Sequence, residues 1–170
     1  MKTFRMALLL VTVTVADVTV APLFPIRGAS PDFALVTLMM LAVFSGPRTV
    51  MVALPVLSVL LGFSTDRAPG LLLLGYLPLL PLAAYLDRGP LPLNRYAQVL
   101  AAGVATGLWA RLLLAFGAIA QGADLQISAL LADVLVPGFF LDVGLITIVY
   151  FPFRLVGWSP RQMTLQRGGF

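Results

Sequence analysis

The sequence predicts an all-α polytopic membrane bundle of about six transmembrane helices, and three observations predict it. Of 170 residues, 60% are hydrophobic and only 11% are charged, where soluble domains carry about 25% charged residues. The apolar residues fall into successive long runs separated by short segments rich in Pro, Gly and charge. The arginines stand singly between those runs rather than in a patch. A soluble globule of this size leaves much of its area wet and needs a far larger polar surface, so lipid is the expected solvent. At ~20 residues per span, almost nothing remains for a second domain, and the chain reads as one transmembrane unit over residues 1–170.

The first run extends from Met6 to Phe24 and is closed by Pro22 and Pro25. Lys2, Arg5 and the small Ala21 give it some likeness to a signal peptide. It is longer than the usual apolar region of one, however, Asp17 interrupts it, and further apolar runs follow, so a retained helix is expected. The second and third spans, about 32–45 and 49–64, flank the turn Ser45-Gly46-Pro47-Arg48-Thr49. Their apolar cores cover only ~20 Å each, short of the ~30 Å hydrocarbon. A re-entrant hairpin would place Arg48 near mid-membrane at a cost of ~3 kcal/mol, so two short spans are preferred, with Pro55 kinking the third run. The fourth, about 70–86, contains Pro78 and Pro81; the fifth covers about 96–120; the sixth covers about 127–152 and is broken by Pro137-Gly138. The tail 154–170 is polar, with Trp158 placed for the interface.

With the N-terminus inside and six spans, the cytoplasmic segments hold Lys2, Arg5, Arg48, Arg88, Arg95, Arg154, Arg161 and Arg167, and the outer loops hold Arg27 and Arg67. This bias predicts both termini on the cytoplasmic side; the family resemblance described below implies that the membrane is the bacterial cytoplasmic membrane. The net charge of +4 is thereby explained by topology and not by nucleic-acid binding.

The composition removes most catalytic chemistry. The chain has no cysteine and no histidine, which excludes thiolate nucleophiles, sulfur-ligated metals and the commonest general base. No Walker-type phosphate loop is present. Ser45, Ser58, Ser64 and Ser128 lack a histidine partner, and Lys2 is the sole lysine. Asp133 and Asp142 match no recognised motif of intramembrane aspartyl proteases. No enzyme, cofactor or metal is expected.

Charges within apolar runs are expensive in hydrocarbon and deserve a reason. Asp17, Arg111, Asp133 and Asp142 are the intramembrane candidates. The expected depths place Asp17, Arg111 and Asp133 in overlapping bands, so Arg111 is expected to pair with Asp17, Asp133 or both. Asp142 lies deeper without an obvious partner. An ion pair that fixes helix order is preferred over an ion or proton path. Gly103 and Gly107 form a Gly-x-x-x-Gly pair on the fifth run, a spacing that lets helix backbones approach closely. Packing within the chain is preferred over packing on a partner helix.

One stretch goes beyond composition. It reads Pro31-Asp32-Phe33-Ala34-Leu35, then Gly46-Pro47-Arg48, then Gly62-Phe63-Ser64-Thr65-Asp66, then Gly70 and Gly75-Tyr76-Leu77. These motifs, spread over about a third of the chain, resemble the MreD family of rod-shape-determining membrane proteins, although Ser30 stands where Arg often precedes Pro-Asp. The resemblance implies a six-helix bundle similar to the substrate-binding subunits of energy-coupling-factor transporters. It implies a non-catalytic scaffold of the cell-elongation machinery. The partner would be MreC and, through it, a RodA-type glycosyltransferase and a class B penicillin-binding protein, with MreB on the cytoplasmic side. Pro31, Asp32, Gly62, Asp66, Gly70 and Gly75 are the positions it marks as fold or partner determinants. The Gly103/Gly107 face and the short second and third helices are the expected docking places for a foreign helix. The alternative is a vitamin-binding subunit of an energy-coupling-factor transporter; the first run lacks the Ala-x-x-x-Ala pair usual there.

Overall fold

The computed structural model describes residues 2–65, 67–88, 94–122, 128 and 130–155. Every regular element in it is helical. In chain order these are α1 (Lys2–Thr19), α2 (Phe33–Ser45), α3 (Pro47–Thr65), α4 (Pro69–Tyr76), α5 (Leu79–Arg88), α6 (Arg95–Ala120) and α7 (Val136–Leu155). A 3-10 turn, Ala21–Leu23, follows α1, and a wide π-type turn, Leu130–Leu135, precedes α7. Because α4 and α5 are two halves of one segment, the described residues form six helical units. Five segments are long and apolar enough to cross a bilayer: Phe4–Leu23, Pro47–Thr65, Pro69–Leu86, Arg95–Ala120 and Leu130–Pro152. The protein is a multi-pass, all-α membrane bundle.

The sixth unit, α2, is shorter at 13 residues, and its sequence says why it can be. Phe33–Ser45 carries no charge and is apolar on every side, the signature of a helix surrounded by others. Eight of its residues, among them Leu35, Leu38, Met39 and Val43, are buried. The other helices follow one another around it in the order α1, α3, α4–α5, α6 and α7. Its sides meet protein and not lipid, so its ~20 Å does not have to match the hydrocarbon thickness. Asp32 caps its start by accepting from the Leu35 N–H at 2.7 Å, and Gly46, at φ 89° in the left-handed region, ends it.

The third helix corrects the sequence expectation of a short span. It runs for 19 residues, because Pro47 begins the helix, a position where its missing N–H costs nothing. At the far end the Ser64 and Thr65 hydroxyls bond the Leu60 and Leu61 carbonyls at 2.8 and 2.7 Å, so the polar end stays helical. The helix is continuous through Pro55.

The fourth run is broken, with Leu77 and Pro78 between α4 and α5. Pro78 has no N–H to offer the Leu74 carbonyl four residues earlier. The Trp109 indole N–H on α6 bonds that carbonyl instead, at 3.1 Å. In the sixth segment the irregularity lies just upstream of the expected place. The wide turn Leu130–Leu135 absorbs it, and α7 is continuous through Pro137 and Gly138. Near the start of α6, Tyr96, Tyr150 and Phe151 form a ring cluster with centroids 5.4 to 6.0 Å apart.

Candidate functional site

One group of polar side chains held within the bundle gathers around the start of α2. Asp17, late in α1, accepts a hydrogen bond from the Phe33 N–H at 2.9 Å. Asp32 uses one carboxylate oxygen for the Leu35 N–H and the other for the Tyr76 hydroxyl, which donates at 2.9 Å. Tyr76 is buried and ends α4, one residue before the break. Two elements, α1 and α4, are thus tied to the start of α2. The first-turn N–H groups of a helix have no intrahelical acceptor, so both carboxylates satisfy backbone donors that lipid cannot.

Arg111 on α6 and Asp142 on α7 form the second half of the cluster. The guanidinium bonds both carboxylate oxygens, with Nη2 to Oδ1 at 2.9 Å and Nη1 to Oδ2 as the second contact. The fork geometry of Arg makes such a pair bidentate. The Asp142 side chain is only 1% exposed and that of Arg111 12%. The group therefore sets three carboxylates, Asp17, Asp32 and Asp142, beside one guanidinium and one phenol.

Glycines make the room for it. A Cβ at Gly138 would lie 2.3 Å from Arg111 Nε, and one at Gly107 would lie 2.5 Å from Asp142 Oδ2. A Cβ at Gly103 would meet Ile146 Cδ1 at 2.5 Å. The Gly103/Gly107 face thus packs against α7 within the chain, and it is not open to a foreign helix.

The partner chosen for Arg111 from sequence differs from the one observed. Neither Asp17 nor Asp133 makes an ion pair with it: Asp17 is engaged by α2, and the Asp133 side chain is exposed in the wide turn. Asp142, expected to stand without a partner, takes both guanidinium contacts. The physical reason is helix spacing, since Gly107 and Gly138 bring α6 and α7 close enough for one fork to bridge the seam.

The positions marked by the family resemblance fall largely at helix junctions. Pro31 is buried and Asp32 caps α2. Gly62 admits Pro69, whose Cγ would sit 2.5 Å from an added Cβ, so α4 can start directly against α3. Gly75 lies against Ala110, at 3.3 Å from an added Cβ to the alanine Cβ, where α4 crosses α6. Gly70 faces open space. Asp66 lies outside the described residues, as does the tail with Trp158, Arg161 and Arg167. Tyr76 and Gly138 were not singled out from sequence as site residues. An isolated Tyr in an apolar run and a Gly beside a Pro are the signals that pointed to them.

Fold and cluster together define a polytopic α-helical membrane protein with a polar latch inside its bundle. No protein-family model, curated protein or solved structure matches the chain.

Proposed function

We propose that this protein is a non-catalytic membrane scaffold of the MreD type, acting in the bacterial cell-elongation machinery and recognising MreC laterally within the cytoplasmic membrane. The observation that carries the reading is how the polar groups of this cluster are used. Asp17, Asp32, Tyr76, Arg111 and Asp142 all spend their side chains on helix termini or on each other. Such a cluster fixes helix order and does not line a path for a substrate. The resemblance in Pro31-Asp32 and Gly75-Tyr76 supports the same reading, because Asp32 and Tyr76 are the residues that join α2 to α4.

With the Gly103/Gly107 face occupied by α7, recognition of a partner helix falls to the outer faces. The outward residues of α3, Met51, Val52, Val56, Val59 and Phe63, form one continuous apolar stripe and are the place we assign to it.

Co-purification in mild detergent with MreC from the same source tests the proposal. A stable complex is expected, weakened when Val56 and Val59 are replaced by bulkier Trp. Retention of cell shape in a deletion strain would overturn it. So would a vitamin retained stoichiometrically by the purified protein, the outcome a transporter subunit would give.

A further inference from the structure

The connection between α1 and α2 contains a tight backbone reversal. Ile26 and Ala29 exchange two backbone hydrogen bonds, at 2.8 and 3.0 Å, around Arg27 and Gly28. Both central residues have positive φ, 51° for Arg27 and 91° for Gly28. This is a tight two-residue reversal in which Gly is at home and Arg is unusual. The turn is braced from behind: Ala29 is buried, and a Cβ on Gly28 would lie 3.9 Å from the Asp133 carbonyl of the wide turn before α7.

Three large apolar side chains lie just before Arg27 in the sequence and are held outward. Leu23 is 72% exposed, Phe24 61% and Ile26 50%. Leu23 ends a segment long and apolar enough to span the membrane, and Phe24 and Ile26 follow it, which sets the three at the level where hydrocarbon gives way to headgroups. From Val18 to Pro31 the chain has no acidic residue, and among the described residues no carboxylate pairs with Arg27. Exposed apolar side chains beside an arginine with no carboxylate partner, at that depth, are complementary to a phospholipid, with acyl carbons meeting the apolar side chains and the phosphate meeting the guanidinium.

We propose that the Leu23–Arg27 segment is a lipid-docking finger that seats its apolar side chains in the membrane interface and holds the phosphate of an anionic phospholipid on Arg27. It is independent of the scaffold reading, because it concerns the boundary of the bundle and not its partner.

The chain contains no cysteine, so Phe24→Cys gives a single labelling position. A nitroxide there, in vesicles of phosphatidylcholine and phosphatidylglycerol in equal parts, is read by power saturation against oxygen and a water-soluble nickel chelate. Preferential relaxation by oxygen at headgroup depth is expected. Preferential relaxation by the nickel chelate would place the finger in water and overturn the proposal. Shielding from both would mean that protein covers it, and would overturn the proposal equally. The phosphate contact is read separately by native mass spectrometry of protein released from the same vesicles. Wild type should retain phosphatidylglycerol that Arg27→Gln loses and Arg27→Lys keeps in part; equal retention by all three overturns the Arg27 contact.

Discussion

Arg111 and Asp142 face each other across the seam between α6 and α7, joined by two guanidinium-to-carboxylate contacts in a gap that only glycine backbones leave open. The pair gains its stability from being complete. Removing one member of a buried pair leaves an uncompensated charge and costs about 3–5 kcal/mol, whereas replacing both with apolar residues is often nearly neutral. Asp142→Asn should therefore lower resistance to unfolding in detergent by that amount. The double variant Arg111→Met with Asp142→Leu should recover most of it. If the double variant is as unstable as the single, the pair is doing something other than balancing charge.

The space around the pair makes a second prediction. A methyl group at Gly138 collides with the Arg111 head, while Gly144 has nothing within 4 Å of an added Cβ. Both are helical, so Ala carries an intrinsic advantage of about 0.5–1 kcal/mol at each. Gly144→Ala should show that gain in thermal unfolding. Gly138→Ala should lose about 1–3 kcal/mol through overpacking, and the loss should shrink when Arg111 is also replaced by Met.

The contrast between these two glycines shows what the sequence makes legible. The spans were legible because lipid tolerates only runs of apolar residues whose backbone is satisfied internally. The central place of α2 was also implicit in Phe33–Ser45, which has no polar face to turn outward. Its shortness was visible, yet the reason lies in five neighbouring units that no local pattern announces. The charges were recognisable as partners, but the choice between Asp17, Asp133 and Asp142 depended on how closely α6 and α7 approach. Gly107 and Gly138 set that distance from different helices. Depth along a span, the only coordinate a sequence supplies, does not say which helices are neighbours.

The α4–α5 break yields a thermodynamic cycle. Pro78 withholds the N–H that the Leu74 carbonyl would accept, and Trp109 supplies one in its place. Trp109→Phe should cost about 1–3 kcal/mol, the penalty for an unsatisfied polar group away from water. In a Pro78→Ala background the helix can close on its own N–H, and the same Trp109→Phe change should cost less than about 1 kcal/mol. Equal costs in both backgrounds would show that Trp109 contributes by ring packing alone.

The junction at α2 separates hydrogen bonding from charge. Asp17 reaches the bundle by accepting the Phe33 N–H, and α1 leaves most of its surface outward. Asp17→Asn keeps an acceptor oxygen and removes the charge, so α1 should stay docked. Asp17→Leu leaves the Phe33 N–H without an acceptor, at a cost of about 1–3 kcal/mol. Amide exchange at Phe33 should then accelerate while exchange in the buried middle of α2, at Leu38 and Met39, is unchanged. Tyr76→Phe removes the neighbouring donor to Asp32 and should cost about 0.5–1.5 kcal/mol without moving Phe33 exchange. If Asp17→Asn proves as damaging as Asp17→Leu, the negative charge, and not the hydrogen bond to Phe33, is what holds α1.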